Sequence, residues 1–450
     1  MASAVEILKN DDSILITEFN PEPPKIVSFE GSVSRQNSNL SCELVGQELV
    51  NEVQNIDHDV CEAGEEDSFF VADLGEVARA YKLWTEKLPN VRAHYAVKCN
   101  TDRNVVRLLG HLGANFDCAS KQEIDTVLAL GFDASRIVYA NPCKTNSFIR
   151  HARANEVNLT TVDNVQELYK LQKFHPDCKV LIRLVTDDES AQCQLSTKFG
   201  CSVDTALNDL LPTSKALGIN VVGVAFHVGS GAKDFTSIYK AVKDSRDVFN
   251  AAETYGFEMN ILDIGGGFER ETFEESSEMV RCSLANFFPE SYVEDRQIRF
   301  LAEPGRFMVA NAFTLATHVI ARRDLGQNSE GMEAMLYIND GVYGNLNCIL
   351  FDHQHPTAQV LKHSGVIYYN LEGKSGANKG HSFSIWGPTC DGLDCVLSKT
   401  QLAANIQVGD WLYFSKLGAY TSAATTTFNG LGGSARVKYV SSEALSGFEY

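Results

Sequence analysis

The feature that most constrains this 450-residue chain is a rhythm of short β-rich runs, each ending in turn residues and followed by a helical stretch. The runs are AHYAVKC, NFDCAS, IVYANPC, NLTTVDN, KVLIRLV, VVGVAFHVG, ILDIGGG and RFLAEPG. They start at Ala93, Asn115, Ile137, Asn158, Lys179, Val221, Ile261 and Arg299. The first five begin 21–22 residues apart, and the last three follow at intervals of about 40. Between them, segments such as NVVRLLGHLG and KQEIDTVLALG carry apolar residues at helical spacing. Eight β-α units in about 240 residues predict a (β/α)8 barrel, an α/β fold of TIM type, over residues 74–312. A doubly wound sheet is the alternative, but even repetition favours closure.

After about residue 312 the pattern changes. FTLATHVIA, EAMLYIND, FSIWGPT, GDWLYF and ARVKYV read as strands separated by Gly, Asn and Asp turns, which predicts a C-terminal all-β domain over 313–450. The run SFFVADL predicts a strand over 68–73, expected to join that domain. Residues 1–67 hold 15 Asp/Glu against 3 Lys/Arg, a charge of −12, whereas the other 383 residues share −7 of the total of −19. Their composition favours disorder, with peripheral strand character at 14–16 and 26–27.

An acidic chain without a basic stripe is the opposite of a nucleic-acid binder. No apolar run approaches the roughly 18 residues needed to span a bilayer. The N-terminus has neither a basic, apolar secretory leader nor the acid-poor composition of a transit peptide. A cytoplasmic protein with reduced thiols is therefore expected. The twelve cysteines include no CxxC and no Cys/His cluster, so no metal site is expected.

Special residues stand at the ends of the eight runs: Lys98, Asp117, Arg183, His227, Gly265–Gly267 and Glu303. In a barrel these ends converge on one mouth. Lys98, read alone, is a lysine at a strand terminus; desolvated at a mouth, such an amine can attack an aldehyde. Gly265-Gly266-Gly267 and Pro304-Gly305-Arg306 follow the last two strands, where barrels often hold phosphate, and Arg306 adds charge-assisted donors. His227-Val228-Gly229-Ser230-Gly231 is a third such loop. Glu303 could pair with a protonated ring nitrogen or merely with Arg306. The β-domain segment WGPTCDGLD, with Cys390 and Asp391, reads either as a site loop or as a structural turn; spacing alone does not place it at the mouth.

Ten strings in order, YAVKCN, FDCASKQEI, YANPCK, FHVGSG, DIGGGF, AEPGR, NDGVYG, CILFDH, WGPTCDGLD and GAYTSAA, resemble the eukaryotic ornithine decarboxylases, the fungal ones most closely. The resemblance runs from about Ser68 to Phe428. It implies an alanine-racemase-like barrel with a β domain, pyridoxal 5′-phosphate as cofactor, and conversion of L-ornithine to putrescine and CO2. It also implies a head-to-tail homodimer with sites at the interface, and raises antizyme as a candidate partner. Carried over by motif, Lys98 is the lysine that holds the cofactor as a Schiff base, and Glu303 pairs with the ring nitrogen. His227 stacks on the ring, and Ser230, Gly267, Pro304, Gly305, Arg306 and Tyr420 hold the phosphate. Asp117 and Glu123 support the site, and Arg183 lines it. Cys390 of the other subunit is the proton donor. Phe351, Asp352 and, across the interface, Asp391 meet the substrate, while Lys198 and Asp394 form an interface ion pair.

Three positions depart from the family pattern: Phe307 and Phe351 replace tyrosines of many animal members, and Gln194 replaces a usual arginine. The rival of a different class is a non-catalytic paralogue of the antizyme-inhibitor type, against which the full set of site residues speaks. A second rival is a decarboxylase of lysine, arginine or diaminopimelate. A paired acidic recognition site has the wrong charge for the last, and lysine differs from ornithine by one methylene.

Overall fold

The computed structural model of the chain describes residues 35–188, 191–192, 195–231, 235–326, 331–370, 380–431, 433 and 435–450. Helix α1 (Arg35–Gln54) and strand β1 (Phe69–Asp73) precede the barrel. Eight strands then close on themselves: β2 (Val91–Ala96), β3 (Asn115–Cys118), β4 (Ile137–Tyr139), β5 (Leu159–Val162), β6 (Lys179–Leu184), β7 (Asn220–Phe226), β8 (Ile261–Asp263) and β9 (Arg299–Ala302). Every neighbouring pair is parallel, and Ala93 opposite Ala302 closes the ring. All eight runs predicted from the sequence are these strands.

Two-residue periodicity sorts the side chains. Val138, Leu181, Ile261 and Leu301 form their own cluster inside the barrel, while Val180, Ile182 and Leu184 join the large core beneath the helices. The helices start where side chains cap them. Asp102 accepts from the backbone N–H groups of Asn104 and Val105, Ser120 from Glu123, and Asn164 from Glu167. Gly223 has a packing role: a Cβ there would lie 1.9 Å from the Ile261 carbonyl oxygen, so β7 and β8 could not approach.

The second unit is a sheet built on the twelve-residue β10 (Phe313–Asp324). With β11 (Ala334–Ile338), β12 (Ala358–His363), β13 (Val366–Ile367), β14 (His381–Trp386), β15 (Cys395–Leu402) and β16 (Trp411–Phe414) it runs in the order β13-β12-β16-β10-β11-β14-β15. Strand β1 pairs antiparallel with β10 and parallel with β17 (Arg436–Val440). Arg79, 4% exposed on a barrel helix, bonds Glu76 at 2.6 Å and Glu443 at 2.9 Å, locking barrel to C-terminus.

One expectation is corrected. Composition predicted disorder throughout 1–67, yet residues 35–54 are helical. Val45, Leu49 and Val53 lie buried at four-residue spacing against Phe69, Val71, Trp411 and Tyr413. An average over the segment hides a one-sided apolar stripe. Residues 1–34, with the strand character expected at 14–16 and 26–27, lie outside the described residues, as does Gln194. Among the described residues no helix is long and apolar enough to cross a membrane.

Candidate active site

A cavity of about 400 Å3 opens at the C-terminal ends of the barrel strands, a size typical of small-molecule sites. Lys98 sits in a short turn immediately after β2, and its ammonium pairs with the Asp117 carboxylate on β3. Asp117 is fully buried, and its second oxygen, Oδ1, has no partner. Glu303 follows β9 and is 9% exposed; its backbone N–H donates to the Gly265 carbonyl at 2.6 Å. Asp263, at the end of β8, accepts from the Gly265 N–H at 2.9 Å and leaves its other oxygen unpartnered.

Three carboxyl groups thus share a buried space with two cations, Lys98 and Arg183. Burial, then the charges of Asp117 and Asp263, push the Glu303 carboxyl well above the usual range. Burial raises Asp263 to about 6. Burial alone would weaken the Lys98 ammonium, but Asp117 and then Glu303 outweigh it and raise its pKa. Burial also pulls Asp117 upward. The close ion pair decides between these: ammonium and carboxylate stabilise each other, and the proton of the cluster resides on Glu303.

His227 follows β7. Its Nδ1 accepts the Gly229 N–H at 3.0 Å, which puts the ring proton on Nε2. Burial, with Arg183 and Lys98 nearby, drives its pKa far below normal, so the ring is neutral. Gly265 (φ +66°) and Gly267 (φ +97°) hold left-handed backbone, and a Cβ on them would meet the carbonyl oxygens of Phe226 at 2.1 Å and Gly229 at 2.3 Å. Arg306 reaches the Ser230 hydroxyl at 3.5 Å, bonds Asp352, and lies 5.3 Å from the Tyr420 ring centroid. Tyr420 has φ +53°, and its N–H donates to the Cys99 carbonyl at 2.9 Å, fixing the β-domain loop beside Lys98.

The family model described as pyridoxal-dependent decarboxylase, pyridoxal binding domain, matches residues 74–310. The ornithine decarboxylase of Candida albicans is 58% identical over 420 residues, covering 89% of each chain. That of Saccharomyces cerevisiae is 51% identical over 409 residues, 88% of this chain and 86% of the other. The chain belongs to the ornithine decarboxylase family. Its architecture is shared by the arginine decarboxylase of Paramecium bursaria Chlorella virus, with a TM-score of 0.78 and 34% identity over 88% of this chain and all of that one.

The residues present fit the pyridoxal phosphate of this decarboxylase family. An amine is available for the aldehyde at Lys98. A proton is held for a ring nitrogen at Glu303. A cradle without Cβ atoms at Gly267 and Gly305 lies beside Ser230, Arg306 and Tyr420 for the phosphate. The Asp117 carboxylate beneath Lys98 keeps one oxygen, Oδ1, without a hydrogen-bond partner, a buried polar atom with unused bonding capacity next to this space.

The cavity wall brings together Lys98, Arg183, His227, Ser230, Gly267, Glu303, Gly305, Arg306, Phe351, Asp352 and Tyr420. Asp117 lies beneath Lys98, and Pro304 contributes its carbonyl to the Ala96 N–H at 3.2 Å. Glu123 accepts the Ala119 N–H at 2.7 Å and so shapes the exit of β3. Cys390 and Asp391 are not on this wall. They sit in the β14–β15 loop, Cys390 exposed and Asp391 half-buried; Asn429 accepts the Cys390 N–H at 2.9 Å and Tyr343 bonds Asp391. Asp394, expected to pair with Lys198 across an interface, is 1% exposed. Its carboxylate accepts from the N–H groups of Val342 at 2.9 Å and Thr389 at 3.0 Å within its own chain.

Sequence reasoning missed Asp263, Asn141 and Phe199. Asp263 precedes the glycine run at the end of its strand, and Asn141 follows β4 within YANPCK, so the strand-end rule could have found both. Phe199, which lies 5.2 Å from the Arg183 guanidinium, stands on a loop that gave no periodic signal. Phe307 is buried against Phe273 and Trp84, at 4.2 and 5.6 Å between ring centroids, so its ring packs where a hydroxyl would need a partner.

Proposed function

We propose that this protein decarboxylates L-ornithine to putrescine and CO2, the first step of polyamine biosynthesis. It acts in the cytoplasm as a homodimer whose sites are each completed by a second copy. The observation that carries the reading is the buried cluster of Lys98, Asp117, Glu303 and Asp263 at the mouth of a closed barrel, next to a glycine-lined anion cradle.

Bound at Lys98, pyridoxal phosphate supplies an electron-poor ring that accepts the electron pair left when CO2 departs. Asp117, paired with Lys98, would hold the proton that Nζ gives up on bonding the cofactor's aldehyde carbon. Glu303 would give its proton to the ring nitrogen and remain as the paired carboxylate. Neutral His227 presents a ring for stacking without adding charge that would oppose the ring's own. Ser230, Arg306, Tyr420 and the peptides of Gly267 and Gly305 bind the phosphate, and Pro304 fixes their turn. Leu195, Phe199 and Phe268 form apolar walls that keep water from the departing carboxylate.

Arg306 also holds Asp352 at the rim, where this carboxylate and Asp391 of the second copy receive the distal ammonium, with Phe351 alongside. Cys390 of the second copy donates the proton to the substrate's α-carbon. The exposed position of Cys390, and the absence of both Cys390 and Asp391 from their own chain's cavity wall, support their working in another chain's site. An apolar substrate would bring no cation to these two carboxylates and would lose the attraction that favours a distal ammonium. One methylene separates ornithine from lysine and is worth about 1–3 kcal/mol, so kcat/KM should favour ornithine by roughly tenfold or more. Equal values for ornithine and lysine, or a preference for arginine, would reject ornithine as the substrate.

A further inference from the structure

Outside the cavity, three ligating side chains meet on the far side of the β sheet. His58 and Glu66 belong to the connection between α1 and β1, and His318 to β10. His58 Nδ1 lies 2.9 Å and His318 Nδ1 3.6 Å from Glu66 Oε2. One ligand atom from each of the three residues falls within 4.8 Å of the others. His318 is 6% exposed, and neither of its ring nitrogens has a hydrogen-bond partner. A buried imidazole without partners is costly and calls for an occupant.

We propose that His58, Glu66 and His318 bind a divalent transition-metal ion of the zinc class, which staples the α1–β1 connection to the β domain. Two imidazoles and one carboxylate form a borderline donor set that suits zinc and its neighbours rather than magnesium or calcium. A tetrahedral ion with bonds of about 2.0–2.1 Å places its ligands about 3.3 Å apart, close to the separations from Glu66 to the two imidazoles. A cavity of about 410 Å3 lined by Glu66 and His318 has room for water as fourth ligand.

The two imidazoles stack, with centroids 4.3 Å apart and planes 11° from parallel. In-plane coordination requires the His58 ring to turn. It can do so, because it stands on a connecting segment, is 26% exposed, and is otherwise held by the Trp411 N–H at 3.3 Å. The backbone is already set. Asn339 accepts the His318 N–H at 2.8 Å and donates to the Glu66 carbonyl at 2.8 Å, so one side chain holds both ligand residues in register. Residues 57–67 carry six carboxylates, Asp57, Asp59, Glu62, Glu65, Glu66 and Asp67, and no Lys or Arg, a field that attracts cations. Asp410 is taken by His363 at 2.6 Å and does not compete for the ion.

The test uses the full-length, cofactor-loaded protein, stripped with a chelator and titrated with Co2+, whose visible bands report coordination. The wild type should take up one equivalent that Zn2+ displaces. His58→Gln and Glu66→Gln should each weaken uptake at least about tenfold, while both keep cofactor content and decarboxylase kcat/KM. Bound Zn2+ should also slow proteolysis within residues 57–67 in the wild type alone. Equal Co2+ uptake by wild type and both variants, or no wild-type equivalent beyond theirs, overturns the proposal.

Discussion

His94 offers a quantitative handle on the barrel. It lies on β2, four residues before Lys98, and is 3% exposed. Its Nδ1 is 3.3 Å from the Arg92 carbonyl and its Nε2 3.3 Å from Asn115 Nδ2. Burial, opposed by that carbonyl and reinforced by the guanidiniums of Arg92, Arg299 and Arg136, takes the pKa from 6.5 down to about 4. The unfolded chain therefore binds a proton near pH 6.5 that the folded chain refuses until about pH 4. Stability from this group is complete above pH 6.5 and falls as pH drops toward 4. Integrated from pH 7 to pH 5, the loss is about 2 kcal/mol. Asp263 has the opposite sign, since its folded pKa is raised, so the raw pH profile mixes the two. The difference between wild type and His94→Gln removes the common contribution. Urea unfolding, followed by tryptophan fluorescence and by the visible absorbance of lysine-bound cofactor, should show the wild type losing about 2 kcal/mol relative to the variant between pH 7 and pH 5. A difference that stays constant over that range refutes the reasoning.

Asp117→Asn removes a charge-assisted bond worth about 1.5–3 kcal/mol, so kcat/KM should fall roughly tenfold to a hundredfold and the Lys98 pKa should drop; an unchanged pH–rate profile would contradict the ion pair's role. Glu303→Gln should keep cofactor bound, measured by its absorbance, while kcat falls, because the amide cannot give the ring a proton and remain as an anion. Gly267→Ala forces a Cβ to 2.3 Å from the Gly229 carbonyl at φ +97°; strain of about 1–3 kcal/mol should weaken cofactor binding severalfold or more in equilibrium dialysis. Inactive Lys98→Ala and Cys390→Ala proteins, mixed after dissociation, should regain about a quarter of wild-type activity, since half the dimers are mixed and each has one intact site; no recovery would argue that sites are not shared.

Legibility in the sequence followed the physics of each signal. Barrel strands announce themselves because both faces are covered, so their runs are apolar and end sharply in Gly, Asn or Asp. Helix α1 was hidden because its buried stripe, Val45, Leu49 and Val53, is thin and lies among polar residues that dominate any average. Strands β12 and β15 were missed for a related reason: AQVLKH and CVLSKTQL mix apolar and polar residues without regular alternation, and their pairing is set by distant partners. Within the site, Lys98 and the glycine loops were legible from strand ends. The carboxyl cluster was only half legible, since Asp263 matters through its contact with Glu303, forty residues away. The His58–Glu66–His318 group was invisible to spacing, because its third member joins from another unit.

The site divides along a line that the fold itself draws. Everything proposed to hold the cofactor comes from barrel strand ends plus Tyr420, whose strained backbone ties the β domain to Cys99 beside Lys98. These groups are rigid because each backbone is engaged in a strand or a tight loop. Two of the groups proposed to choose the substrate and return the proton, Asp391 and Cys390, lie instead on a loop of the β sheet, away from this cavity on their own chain. Cofactor binding should therefore survive separation of the dimer far better than turnover does. Dilution that dissociates subunits should abolish decarboxylation while the absorbance of the lysine-bound cofactor persists, and loss of both together would mean that the barrel alone does not hold the cofactor.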